Sequence, residues 1–452
     1  MRRVLVTGLG GAGRTTVAAA TALAAARAGK RTLFLSAEPG EILGAPVTGR
    51  VDAPAAVADM LWAARIEPGA DFRAEFLSLQ QRSSAALDLL GARPLEDEEL
   101  TDLPGSEQFA LLRALTVAAR GPWDVAVVDM PPLRETIALL ALPDQLRRYL
   151  RRLLPRERQA ARALRPMLAQ LAGVPMPAQW LYETAERWDT ELAGVQSVIE
   201  SSNTNVTVVA EPGPAAADAL RTARTGLSLH GLDVEMIVAN RCVPEGSPDT
   251  WAAGLAAQQR KCLDQWVTDW VVRGQAQVCE MPHLGRDPRG PDDLALLETE
   301  ANCASGESHF HTEDDARLGS LVLALHWDRE ERGPDPWWVE DVHATAVERA
   351  RQIEALADTD NHWHGLGGVL PGEPDPVDDG TLVLHLRLPG AVKEELALVR
   401  RGDELLITVG PFRRIFPLPS ALRRCTVAGA ALEEGVLRVR FTPDPDLWPR
   451  GR

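Results

Sequence analysis

Apolar residues fall into two kinds of run along this chain. Val4-Leu5-Val6-Thr7, Arg31–Ser36, Asp124-Val125-Ala126-Val127-Val128-Asp129, Val206–Ala210 and Val234–Ala239 are short and almost continuously apolar. Helical patterns separate them, beginning with the Ala-rich stretch Val17–Ala28. Continuous apolar strands alternating with helices predict a parallel sheet covered on both faces. Ligands of such sheets bind at the carboxyl ends of the strands, and those ends carry Gly8–Thr16, Glu38 and Asp129. The second kind of run alternates. Leu382, Leu384, Leu386 and Leu388 share one face, with His385 and Arg387 on the other; Leu437, Val439 and Phe441 alternate with Arg438 and Arg440. A period of two predicts short strands with one buried face. With Asp403–Gly410 and Phe412–Leu418 as further strands, this region reads as a small β-sandwich.

The expected fold class is therefore α/β, a parallel sheet covered by helices, with a small C-terminal sandwich. Residues 1–300 form the first domain, interrupted by a helical insertion at about 144–200 that is rich in Leu, Arg and Ala. In that insertion Leu146, Leu150, Leu153 and Leu154 form an amphipathic stripe, which either packs onto the body or offers a groove to a hydrophobic client segment. Residues 301–378 are rich in Gly, Pro, Asp and His, with a short apolar run at Leu321–Leu325 and an expected helix at Trp338–Ala357. Two H-x-H pairs, His309/His311 and His362/His364, and Cys303 lie here. They are residues that could hold a transition metal, but their spacing matches no specific site, and a polar linker is the favoured reading. Residues 379–443 form the sandwich.

The first strand runs straight into Gly8-Leu9-Gly10-Gly11-Ala12-Gly13-Arg14-Thr15-Thr16. This is the spacing of a phosphate-binding loop, G-x-x-x-x-G-K-[ST], with Arg14 where lysine belongs. Glycines let successive backbone N–H groups converge on phosphate oxygens, and the helix that follows adds positive potential at its N-terminus. Thr15 would offer its hydroxyl to Mg²⁺. Arginine also binds phosphate, but it is larger and planar, so the change alters the chemistry. The chain's lysines are Lys30, Lys261 and Lys393, and none is near enough in sequence to replace the missing one.

Composition narrows the classes. A formal charge of −16 argues against general nucleic-acid binding. No apolar run is long enough for a signal peptide or a membrane span. The five cysteines are scattered and form no C-x-x-C pair, so a disulfide scaffold is not expected and a reducing cytoplasm is the natural compartment.

Residues 1–300 resemble the arsenite-pump and tail-anchored-protein-targeting ATPases, the ArsA/GET family of deviant P-loop proteins. The family loop reads G-K-G-G-V-G-K-T-T, against G-L-G-G-A-G-R-T-T here. Its first switch, S-T-D-P-A-H, corresponds to Ser36-Ala37-Glu38-Pro39-Gly40-Glu41. Its D-T-A-P-T-G-E-T motif corresponds to Asp129-Met130-Pro131-Pro132-Leu133-Arg134-Glu135-Thr136, and its V-V-N-R to Val238-Ala239-Asn240-Arg241. The last module looks like the α-crystallin domain of small heat-shock proteins, with the A-x-x-x-x-G-V-L signature at Ala430 through Leu437.

The resemblance implies Mg·ATP bound along Gly10, Gly11, Ala12, Gly13, Arg14, Thr15 and Thr16. Thr15 and Asp129 would surround the metal, with Asn240 and Arg241 at the base. Glu38 would orient the attacking water and Arg14 would serve as the catalytic cation. It also implies a homodimer, or a heterodimer with a paralogous ATPase, facing across nucleotide. Four positions depart from the pattern: Leu9, Arg14, Met130 and Arg134. Two readings therefore stand side by side. One is an ATPase switch coupled to a client or partner; the other is a nucleotide-binding pseudo-ATPase that acts as a scaffold or completes an active paralogue.

Overall fold

The computed structural model describes residues 1–67, 105–154, 179–232, 234–272, 276–304, 337–341 and 381–447, with scattered positions between 69 and 100. The chain divides into two units, Met1–Pro212 with Glu235–Trp327, and Gly213–Val234 with Asp328–Arg452.

The first unit is built on a nine-stranded sheet. Its strands are β1 (Arg2–Gly8), β2 (Thr32–Ser36), β3 (Ala55–Ala58), β4 (Leu61–Arg65), β5 (Val125–Pro132), β6 (Thr204–Ala210), β7 (Val234–Cys242), β8 (Gln277–Pro282) and β9 (Asn302–Ala304). Their order is β3-β4-β2-β5-β1-β6-β7-β8-β9. β1 pairs in parallel with β5 and β6, β2 with β4 and β5, and β7 with β8. The edge strands β3 and β9 are antiparallel. β1 therefore lies inside the sheet, so the loop that follows it sits between the carboxyl ends of its two neighbours.

The helices of this unit are α1 (Arg14–Arg27), α2 (Pro39–Leu43), α3 (Ser106–Arg120), α4 (Leu133–Leu153) and α5 (Gln179–Ile199). After α6 (Pro214–Leu229), which belongs to the second unit, come α7 (Thr250–Trp266) and α8 (Gly290–Glu300). Val17 to Ala26 of α1 are all buried, most of them without accessible surface. Alanine is the best helix former, and its small side chain lets α1 sit close against β5 and α8.

The helical insertion does not open near residue 144. α4 starts at Leu133 and runs through Pro143, where the missing N–H forfeits one ladder bond. The stripe of leucines is split: Leu150 and Leu154 are half-buried, Leu146 and Leu153 exposed. The Arg147 guanidinium is buried and donates from Nε to Asp189 Oδ1 of α5 at 3.1 Å and from Nη1 to Gln196 Oε1 at 2.6 Å. That ion pair sets the rotation of α4, and Leu146 is left 37 % and Leu153 78 % exposed. Residues 155–178 of the insertion lie outside the described residues.

In the second unit two antiparallel sheets form a sandwich. One is β10 (Trp337–Asp341), β11 (Leu382–Arg387), β16 (Val436–Pro443) and β15 (Cys425–Glu433), in that order; the other is β12 (Leu396–Arg401), β13 (Glu404–Val409) and β14 (Phe412–Pro417). The alternating residues Leu384, Leu386, Leu437, Val439 and Phe441 are buried, as are Leu405 and Ile407 of the other sheet. Two expectations are corrected. His385 is buried, not solvent-facing, because β11 lies between β10 and β16 and also carries α6. The start of the expected helix at Trp338–Ala357 is instead β10, whose residues pair with β11 in the register Trp338↔His385. Paired in this way, Val339 stands in the pleated setting that β-branched residues favour. The rest of that span, the apolar run Leu321–Leu325 and the H-x-H pairs lie outside the described residues.

α6 packs on the sandwich within this unit. Thr225 Oγ1 donates to the Pro389 carbonyl, Ser228 Oγ to the Arg387 carbonyl, and Arg414 Nη1 to the Leu229 carbonyl, each at 2.8 Å. Gly226 makes room for the Phe412 ring: a Cβ there would lie 2.7 Å from it.

The cysteines bring one more correction. Cys242, Cys262 and Cys425 are free, but Cys279 is disulfide-bonded, and the β8–β9 register sets it opposite Cys303.

Candidate functional site

The loop from Gly8 to Thr16 joins β1 to α1. Its course needs glycine at two places. Gly11 and Gly13 have φ of +77° and +87°, in the left-handed region where a Cβ is strained. Beside Gly10 and Gly11 a Cβ would meet nothing, so the backbone faces open space there. Gly8 answers a different demand: a Cβ on it would lie 2.0 Å from the Val209 carbonyl oxygen of β6.

Two flanks hold this loop. On the β6–β7 side, Leu9 N donates to the Val209 carbonyl at 3.0 Å. From the end of β7, Asn240 Nδ2 donates to the Ala12 carbonyl at 2.8 Å and Arg241 Nη1 to the Gly11 carbonyl at 3.0 Å. Arg241 has φ of +60°, a conformation costing about 1–3 kcal/mol outside glycine. Its bond to the loop and its pairing with Glu211 at 3.8 Å help to hold it there.

On the β2–β5 side a cleft of about 600 Å³ opens. Arg14, Thr15, Thr16, Glu38 and Asp129 line it. Asp129 Oδ2 accepts from Thr15 Oγ1 at 2.8 Å and from Ser36 Oγ at 2.9 Å. Burial pushes the Asp129 carboxyl above its usual range, and the two hydroxyls and the Arg14 charge only partly offset this. Ser36 Oγ also accepts from the Glu38 backbone N–H at 3.3 Å, tying the start of α2 to the same cluster. The Glu38 side chain is exposed on the cleft wall. Arg14 Nη1 donates to the Met130 carbonyl at 2.6 Å, so its guanidinium bridges the loop and β5. Behind it Thr7 and Thr136 share a hydroxyl contact of 3.0 Å, and both donate to the Pro131 carbonyl at 2.8 Å.

The structure thus brings the loop, Glu38 and Asp129 around one cleft. Asn240 and Arg241 are set apart from it, bracing the loop from the opposite flank. Sequence reasoning assigned no role to Ser36, Thr7, Arg65 or Arg289. Ser36 and Thr7 carry a weak signal, a hydroxyl at or next to the carboxyl end of an apolar strand. Arg65, whose Nε donates to the Ala37 carbonyl at 3.1 Å, and Arg289, which lines the cleft, carry none, because each reaches the site only through tertiary folding.

The residues present suit a nucleotide and a hard divalent cation. The loop offers backbone at Gly10 and Gly11 that faces open space, and the cleft offers a desolvated carboxylate with two hydroxyls, the oxygen set that Mg²⁺ takes.

A family model for anion-transporting ATPases of the ArsA type matches residues 1–299, and one for the HSP20-like domain found in ArsA matches residues 379–441. An uncharacterized protein of Streptomyces coelicolor is 50 % identical over 455 residues, covering 100 % of both chains. A protein of Aquifex aeolicus named as arsenical pump-driving ATPase 1 is 23 % identical over 448 residues, 96 % of this chain and 98 % of its own length. The ATPase get3 of Neurospora crassa is 24 % identical over 304 residues, 65 % of this chain and 88 % of its own. The loop, its braces and the paired family matches together place this chain in the ArsA-type anion-transporting ATPase family, among members that carry an HSP20-like C-terminal domain.

Proposed function

We propose that this chain is a cytoplasmic Mg·ATP-dependent switch whose turnover is coupled to binding a client or partner. The observation that carries the reading is the hydroxyl–carboxylate cluster Thr15–Asp129–Ser36 beside the glycine-lined loop. It holds a desolvated acid whose burial outweighs the nearby Arg14 charge, next to backbone free to approach phosphate. A bound Mg²⁺ would neutralise charge on the β- and γ-phosphate oxygens. Gly10–Thr16 would hold the phosphates through backbone N–H groups, Thr15 and Asp129 would face the metal, and Glu38 would orient water. Asn240 Nδ2 is engaged with Ala12, which leaves Oδ1 to accept from a base amino group. In phosphoryl transfer, positioning and charge stabilisation do most of the catalysis. A homodimer, or a heterodimer with a paralogous ATPase, is part of this reading. The exposed Leu146, Tyr149 and Leu153 of α4 are the surface for an apolar client segment. No described helix is long and apolar enough to cross a membrane.

A second reading, the pseudo-ATPase scaffold, is favoured by one specific observation. Arg14 is held on the Met130 carbonyl, and Leu9 packs against the core cluster, so neither stands free toward a terminal phosphate. Binding and hydrolysis measured in the same samples of the purified chain separate the two. Saturable Mg·ATP binding with turnover supports the switch; saturable binding without turnover supports the scaffold; no binding sinks both.

A further inference from the structure

We infer that Arg289 is the second cation of this cleft and contacts the terminal phosphate of a bound nucleoside triphosphate. The inference rests on the nucleotide reading above and adds a residue to it. Among the described residues lining the cleft, four glutamates and Asp129 accompany two basic side chains, Arg14 and Arg289. A triphosphate adds further negative charge to a wall that is already acidic, and one divalent cation offsets only two of those charges. Arg14 is engaged with the Met130 carbonyl, and Leu9, where the family has a second lysine, packs into the core. None of the chain's lysines lines the cleft. Among the described lining residues Arg289 is the remaining cation.

Its backbone is fixed and its side chain is not. Arg289 is extended, with φ −144° and ψ 133°, and directly precedes α8. Its N–H donates to Asp293 Oδ2 at 3.0 Å, and Asp293 Oδ1 in turn accepts from Arg286 Nη2 at 2.5 Å. The next residue, Gly290, turns the chain with φ +75° and lies close under Gly44, at the end of α2: a Cβ on Gly44 would be 3.2 Å from the Gly290 Cα. The segment is therefore anchored both to α8 and to the helix that starts beside Glu38. The Arg289 guanidinium is exposed, and no described residue bonds it. A guanidinium on a fixed backbone, lining the same cleft as Arg14 and Thr15, suits bidentate contact with terminal phosphate oxygens. Such a contact exists only with the triphosphate, so Arg289 would make the site prefer ATP over ADP.

The test is titration of the intact chain with Mg·ATP and Mg·ADP, for the native protein, Arg289→Gln and Arg289→Lys. Removing a charge-assisted bidentate contact predicts that Arg289→Gln weakens ATP by about tenfold or more and ADP by less than about threefold. Arg289→Lys, which keeps the charge, should recover part of the ATP affinity. Equal losses for both nucleotides, or no loss for either, would overturn the role of Arg289 while leaving the nucleotide site standing. A native chain that binds neither nucleotide would overturn both readings.

Discussion

Gly13 is where the loop is least tolerant of change. Its φ of +87° alone disfavours a side chain, and a Cβ would lie 2.4 Å from Asn240 Nδ2, the atom that braces the loop. Gly13→Ala therefore either distorts the loop or expels Asn240, at roughly 1–3 kcal/mol of strain. ATP affinity should fall at least about tenfold on such a cost, with the rest of the fold intact; unchanged affinity by calorimetry would refute the assignment of the loop. Asp129 makes a pH prediction. Burial raises its folded pKa above 3.8, so the folded state takes up its proton at a higher pH than the unfolded chain does. Ionised Asp129 therefore opposes folding as pH rises through this window, and a cation bound beside it would relieve that cost. Mg²⁺-dependent nucleotide binding should weaken as pH falls through the raised value, because a protonated carboxyl no longer attracts the metal. The step should vanish in Asp129→Asn; an identical pH profile in that variant would mean that another group titrates. Cys242 is a quieter residue: burial and the nearby Glu280 push its thiol up to about 12, so it stays protonated and unreactive near neutral pH.

At the level of elements, α6 is the instructive case. Gly226 lies in its interior, where alanine would gain about 1 kcal/mol in helix propensity. The Phe412 ring occupies the space that any side chain there would need. Overpacking costs about 1–3 kcal/mol and grows with size, so packing outweighs propensity for a large residue. Gly226→Leu should lower the thermal stability of the second unit, with the loss expected to be smaller when Phe412 is also cut to Ala. A leucine that raises the melting temperature would show that α6 does not seat on β14. The contact has a pH signature too. His230, at the end of α6, is pushed down to about 3 by burial and by Arg414. In the unfolded chain it titrates near 6.5, so its contribution to stability is present above that value and is lost as pH falls from about 6.5 toward 3.

For the whole molecule the central question is assembly. The family relation is the ground for proposing a dimer, and the missing loop lysines favour a paralogue as its second chain, because a copy brings Leu9 and Arg14 again. Light scattering on the purified chain should report a dimer or larger species that grows or tightens with Mg·ATP. A strict monomer with and without nucleotide, at concentrations above a micromolar Kd, would count against the dimer (about −8 kcal/mol of association). The C-terminal module is proposed as a folding unit of its own, and the α6 contacts add a condition. A fragment 375–452 should show β-rich circular dichroism but be less stable than the same strands in the full chain, because it uncovers Phe412 and Arg414.

Much of this was legible in local sequence, where the physics is local. Strand ends at Gly8 and Ser36, the glycine spacing of the loop and the alternation of Leu382 to Leu388 follow from burial periodicity and backbone sterics, whereas β5 runs three residues past Asp129 to Pro132. These act over a few residues and leave a readable trace. The rest depended on which distant groups meet. Arg147 of α4 is buried because Asp189, 42 residues away, accepts from it, while Leu146 and Leu153 stay exposed. Trp338 became a strand because β11 offered an edge to pair with. Asn240 became a brace of the loop because β7 ends beside Ala12. Arg289 reached the cleft because a turn before α8 is anchored beside α2. Each of these outcomes is set by long-range electrostatics, pairing or packing, which no window of sequence contains and only the tertiary structure decides.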